Sequence, residues 1–235
     1  MLGRNRHPSP RLDDASLRTA WQIVSLLLEY PTEELVARRD LLESAAASLP
    51  PGVRDPVSRF LATLGGTPLA ALQEEYVETF DVTRRCCLYL SYFAHGDTRK
   101  RGLALVQFKQ AYRRAGVDLD TDELPDHLCV VLEFGSAVDV DIAWRLLNDH
   151  RAGLEMLRIA LADKGSAWHD VVLALVATLP VLRGDDADKV AALIAQGPPS
   201  EEVGLDNQPY ALDPRLNPLP SESVELGSTI PVGAP

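Results

Sequence analysis

Along most of the chain the apolar residues recur every three to four positions, and residues that start or stop helices stand where that recurrence begins and ends. Leu17, Ala20, Trp21, Val24, Leu27 and Leu28 form one stripe, preceded by the cap candidates Asp13 and Asp14 and closed by Tyr30-Pro31. Thr32 caps a second stripe of Leu35, Leu42, Ala45 and Leu49, which Pro50-Pro51-Gly52 ends. A third helix takes Asp55 as its cap, Pro56 at its first position and Gly65 just past its end. Thr67-Pro68 opens a fourth, with Leu69, Leu72, Tyr76 and Phe80 on one face and Glu74, Glu75 and Glu78 largely off it.

Farther along, Leu105, Phe108, Ala111 and Tyr112 sit in a basic helix that stops at Gly116, and a short, almost wholly apolar helix covers residues 128–134 after Pro125. A long segment from about 139 to 164 carries Ile142, Leu146, Leu147, Leu154, Leu157 and Leu161. Ser166 opens the next helix, which holds Val172, Leu175 and Leu179 before Pro180, and residues 186–196 make a last short one. Nowhere does period-2 alternation with β-branched enrichment appear, so no sheet is expected. The prediction is one all-α globular domain of about nine helices. Residues 81–97 break the pattern: they are aromatic and apolar without a helical stripe, and so long a connection inside a compact domain is often functional.

Charge sets the limits of that domain. Of the 235 residues, 34 are Asp or Glu and 23 are Lys or Arg, giving a net charge of -11. Residues 1–11 carry Arg4, Arg6 and Arg11 without an acid, and are expected to be a flexible basic start. Residues 197–235 hold six acids against Arg215 alone and 8 of the 17 prolines, the composition of a disordered acidic tail. Residues 12–196 are the helical domain. The overall acidity argues against nucleic acid or an anionic membrane as partner, since both are themselves negative. The basic start lacks the apolar stretch of a signal peptide, and no apolar run approaches the roughly 20 residues of a membrane span. With three cysteines, two of them adjacent, the expectation is a cytoplasmic protein without disulfides and without stable membrane insertion.

Few residues suggest chemistry of their own. Cys86, Cys87 and Cys129 lack the paired spacing of a structural zinc site and are expected to be small buried hydrophobes. His169-Asp170, with His127 and His150 before it and Asp185, Asp186 and Asp188 after it, loosely resembles the ligand arrangement of the helical HD-domain metal phosphohydrolases, although so short a match also arises by chance. There is no phosphate-binding glycine loop and no nucleophile elbow, so neither a cofactor nor a catalytic residue is assigned. Arg99, Lys100 and Arg101 fall in the opening turns of a helix, where cations oppose the helix dipole. Their bland reading is a solvated face balanced by Glu74, Glu75 and Glu78. Asp126 and His127 bring ionisable groups to the edge of the apolar wall of residues 128–134, with Asp126 as a plain helix cap the simpler alternative.

Taken together, Tyr76-Val77-Glu78-Thr79-Phe80-Asp81, Leu88-Tyr89-Leu90-Ser91-Tyr92, His95-Gly96-Asp97-Thr98-Arg99-Lys100-Arg101-Gly102 and Leu124-Pro125-Asp126-His127-Leu128 with Leu132-Glu133-Phe134 resemble the respiratory nitrate reductase assembly chaperones, or delta subunits. These belong to the all-helical, TorD-like chaperones that mature molybdenum oxidoreductases. The resemblance covers about residues 21 to 179, and its most specific element is the Pro-Asp-His and Leu-Glu-Phe pair. It implies two packed helical halves and a chaperone that is not an enzyme. Its partner would be the N-terminal segment of the catalytic alpha subunit, or the alpha-beta complex, held open for insertion of molybdenum bis-guanine dinucleotide before membrane docking. A helix-in-groove contact needs apolar and aromatic lining with a few ionisable rim groups. The candidate peptide-binding residues are therefore Tyr76, Phe80, Tyr89, Tyr92, Phe93, His95, Asp97, Arg99, Asp126, His127 and Glu133. Two other readings stay open on the residues alone: the metal phosphohydrolase, and a helical regulatory module with a closed apolar pocket.

Overall fold

The computed structural model describes residues 11–96, 99–119, 123–182 and 184–196. The predicted acidic tail and all of the basic start except Arg11 lie outside them. Among the described residues the regular elements are helical: α1 (Asp14–Leu28), α2 (Glu33–Ala37), α3 (Arg39–Ala46), α4 (Pro51–Gly66), α5 (Leu69–Tyr76), α6 (Tyr92–His95), α7 (Arg99–Arg114), α8 (Leu128–Ala137), α9 (Val140–Asp149), α10 (Arg151–Lys164), α11 (Trp168–Ala177) and α12 (Asp185–Gln196). A π-helical turn, Val77–Val82, continues α5, and a 3-10 turn, Arg84–Cys86, follows it.

Three of the twelve helices come from divisions or additions that periodicity does not reveal. The second predicted segment breaks into α2 and α3 at Arg38. The 139–164 segment breaks into α9 and α10 at His150, whose φ of -105° and ψ of 20° leave the helical range. The short α6 forms inside the irregular 81–97 stretch. Asp13, Thr32 and Asp139 cap their helices, their side chains accepting from the amides of Ser16, Leu35 and Ile142. The third predicted helix instead starts five residues early. Pro51 takes the first position, where a missing N–H costs nothing, so Pro56 lies inside α4 and Asp55 is paired with Arg54 at 2.9 Å rather than capping.

The two halves of the chain share one core along α1, which is buried on Leu17, Trp21, Val24, Leu27 and Leu28 and packs against α8 and α11. From the first half α4 also crosses α11, with α3 laid on α4; in the second half α8 packs on α9, and α10 on α11 and α12. Two tryptophans tie the halves together. Trp21 Nε1 donates to Thr178 Oγ1 and Trp168 Nε1 to the carbonyl of Leu27, each at 3.0 Å. Both rings thus bury their full area with the polar edge satisfied. Between α1 and α8, Ser25 Oγ donates to the Cys129 carbonyl at 3.3 Å and Cys129 Sγ to the Ser25 carbonyl at 3.7 Å. At the domain edge Arg11 reaches Asp141 at 2.6 Å and Asp14 at 3.0 Å and lies over the Trp144 ring. Among the described residues no helix is long and apolar enough to cross a membrane.

Candidate functional site

The segments leading into α6 and into α8 are joined by a short clasp. Leu90 N–H donates to the Asp126 carbonyl at 3.0 Å and Leu128 N–H to the Leu88 carbonyl at 2.8 Å, an isolated antiparallel bridge that sets Tyr89 beside His127. The Asp126 side chain is fully buried. Its Oδ2 accepts from Ser91 N–H at 3.2 Å and from Ser91 Oγ at 2.5 Å, and Arg101 approaches it at 3.7 Å. Asp126 therefore does not cap α8. Its carboxylate turns back across the bridge, and His127 occupies the cap position without a side-chain cap bond. Nor is Arg101 balanced by the fourth-helix glutamates. Glu75 accepts from Ser166 Oγ at 3.1 Å and Glu78 pairs with Lys164 at 3.1 Å, while Arg101 covers the Tyr89 ring at 5.1 Å.

Tyr89 is half-buried, its ring edge-on to His127 at 5.2 Å, and its hydroxyl donates to Glu123 at 3.1 Å. Burial and then the Glu123 carboxylate push the phenol up to about 12. Burial pulls the His127 imidazole below its ordinary value, against the opposing pull of Glu123 and Asp126. Its Nδ1 and the Asp126 Oδ1 are buried without a hydrogen-bond partner among the described residues. Tyr112, from α7, closes the clasp from beneath by donating its hydroxyl to the Pro125 carbonyl at 2.7 Å.

The remaining candidates fall into other places. Tyr76 and Phe80 belong to an aromatic cluster with Trp168 and Tyr30, at centroid distances of 4.8 to 5.7 Å, and Tyr76 donates to the Leu28 carbonyl. Of these four rings, Tyr30 also lines an open cleft of about 380 Å³ with Gln73, Glu74, Val77, Glu78 and Val82, which joins apolar side chains to two carboxylates. Tyr92 and Phe93 are buried, Phe93 against Gly153 of α10. His95 is half-buried, Arg99 is exposed, and Asp97 lies outside the described residues. Glu133 is exposed on α8 near Glu29, whose carboxyl is raised first by partial burial and then by Glu133. Ser91, Arg101 and Glu123 are residues of this site that neither periodicity nor motif spacing reveals. The first two stand in the quoted motifs, but nothing in the spacing pairs either with Asp126, from which they are 35 and 25 positions away in the chain.

Among the described residues no group of three or more His, Cys, Asp and Glu could hold a metal ion. Asp170, the HD aspartate, is taken by Arg59 in a two-pronged pair with its shortest contact at 2.6 Å. Cys86 and Cys129 are buried free thiols and Cys87 is half-buried; burial pushes the Cys129 thiol up to about 12.

This arrangement has a solved counterpart. A redox enzyme maturation protein of Archaeoglobus fulgidus superposes with a TM-score of 0.51 at 23% identity, covering 73% of this chain and 96% of that one, which places the protein in that all-helical fold. In sequence, the model of the nitrate reductase delta subunit family matches residues 46–174. The chain belongs to that family. It is 34% identical over 197 residues to the nitrate reductase molybdenum cofactor assembly chaperone NarJ of Escherichia coli K12, covering 81% of this chain and 79% of that protein. It is also 35% identical over 159 residues to the nitrate reductase-like protein NarX of Mycobacterium tuberculosis H37Rv, covering 67% of this chain but only 24% of that longer relative. The matched 46–174 span contains every candidate residue from Tyr76 to Glu133.

Proposed function

We propose that this protein is a dedicated cytoplasmic chaperone for assembly of a respiratory nitrate reductase. It binds the N-terminal segment of the catalytic alpha subunit, keeps the apoenzyme open for its molybdenum cofactor, and leaves before the complex docks at the membrane. The observation that carries this reading is the similarity to the E. coli assembly chaperone along most of both chains. The geometry supports it in two ways. The cleft at Tyr30, Val77 and Val82 joins exposed apolar groups to the rim carboxylates of Glu74 and Glu78, which suits a basic amphipathic segment. The Tyr89–His127 bridge adds a second set of accessible groups held in register by the buried Asp126.

Titrating the purified full-length protein into a labelled peptide from the start of the alpha subunit tests this directly. Saturable binding at low salt is expected, weakened about tenfold or more by His127→Ala, in line with truncating a partner at the centre of an interface, and by Asp126→Ala through loss of the clasp that holds His127 in register. Absence of binding at low salt would remove the peptide reading.

A further inference from the structure

A second cleft lies away from the clasp, on the side of the molecule where α7 meets α9. It encloses about 500 Å³ and has a floor of Phe108, Ala111, Ile142 and Leu146. That is within the usual size of a binding cleft. Its rim holds the exposed guanidiniums of Arg114 and Arg145 against a single carboxylate, that of Asp149, among the described lining residues. Neither arginine has an ion-pair partner among the described residues; Arg145 Nε donates to the backbone carbonyl of Asp141 at 3.2 Å. Beside the cleft, the outward face of α7 exposes Leu103 (70%) and Val106 (49%) one turn apart. This helix contains no acidic residue and six Lys or Arg, in a chain whose net charge is -11.

Three occupants suit an apolar stripe flanked by cations. A bilayer surface would use the cations and the two aliphatic side chains, but a flat lipid face has nothing to enter a cleft. A second copy would have to offer its own acidic apolar surface, the cleft at Tyr30 and Val77, and that surface is itself concave. A convex acidic helix meets all the features at once. Its apolar ridge would cover Leu103, Val106 and the cleft floor, and its flanking carboxylates would reach Arg114 and Arg145.

We propose that the α7–α9 cleft, with Leu103 and Val106 beside it, is a docking surface for an acidic amphipathic helix of a partner protein. Its charge preference is opposite to that of the Tyr30–Val82 cleft, so the protein has two docking surfaces that select segments of opposite sign. Exposed apolar side chains edged by arginine have the composition of an interface centre rather than of a merely solvated helix face.

The probe is a synthetic amphipathic helix with leucine at i, i+3, i+4 and i+7 and glutamate on both flanks, titrated into the full-length protein by fluorescence anisotropy. Its charge-reversed lysine version serves as control. Saturable binding of the acidic helix is expected. It should fall about tenfold in the double variant Arg114→Ala/Arg145→Ala and in Leu103→Asp, and weaken as salt rises, as rim charge pairs require. All three positions are exposed, so circular dichroism melts should match the unsubstituted protein. Equal binding of the lysine version, or binding indifferent to these substitutions, would overturn the proposal. So would two other outcomes: cosedimentation with phosphatidylglycerol vesicles in the absence of helix binding, which assigns the face to a membrane, or self-association lost in the same variants without helix binding, which assigns it to a second copy. Binding of the alpha-subunit peptide is measured in parallel and should be unchanged by Leu103→Asp, which separates failure of this surface from failure of the proposed client site.

Discussion

At the scale of single residues, the fold depends on a few close approaches that composition does not announce. Gly135 of α8 is one: a Cβ there would stand 2.6 Å from the Ala143 Cβ and 2.7 Å from a Trp21 ring carbon. Alanine ordinarily gains about 1 kcal/mol over glycine inside a helix, but forcing extra volume into a packed core costs about 1–3 kcal/mol, and these contacts lie well inside van der Waals distance. Packing should win. Gly135→Ala is expected to lower the melting temperature by several degrees, whereas Gly102→Ala, which meets nothing within 4 Å, should leave it unchanged or raise it. Asp126 is the polar counterpart. Replacing it with alanine strands two buried Ser91 donors at a cost of about 1–3 kcal/mol, visible as a lower denaturant midpoint. The motif singles out Asp126, yet its place in the clasp depends on Ser91 and Arg101, which the sequence places far from it.

Among the elements, the caps were the most legible features. Asp13, Thr32 and Asp139 all accept from amides three residues ahead; the spacing before the first two stripes identifies Asp13 and Thr32, whereas Asp55, expected to cap, lies inside α4. Asp139 has the added task of restarting the chain between α8 and α9, and Asp139→Ala should cost about 1 kcal/mol, measured by urea unfolding. The breaks at Arg38 and His150 left no comparable mark, because an apolar stripe can run on in register through a change of helix axis. The His150 ring is held by the Leu146 carbonyl one turn before it at 2.9 Å and by Phe108 of α7 at 4.9 Å, the second a contact between elements. The basic run at the start of α7 opposes the helix dipole. A neighbouring element accounts for one of its cations, since Arg101 serves Asp126 and Tyr89.

For the whole molecule, burial shapes the response to acid. His127 and His150 both have imidazoles lowered from the ordinary value of 6.5, chiefly by burial, so the unfolded chain binds protons that the folded one refuses. Stability is therefore complete above that value and is lost as the pH falls below it, toward the folded-state values. A melting curve taken at successive pH values should drop through this window, and His150→Phe, which keeps a ring beside Phe108, should flatten the drop; an unchanged slope would mean that other groups dominate. The amino-acid sequence by itself determined the all-α class, most helix starts, the acidic character and the motifs that indicate the delta subunit family, because periodicity, caps and charge are local properties. Only the tertiary structure decided that Tyr92, Phe93 and Asp126 are buried while Tyr30, Val77, Leu103 and Val106 stay exposed. All of them lie on helices or close beside them, and which side of a helix meets water is settled by what packs against it from elsewhere in the chain.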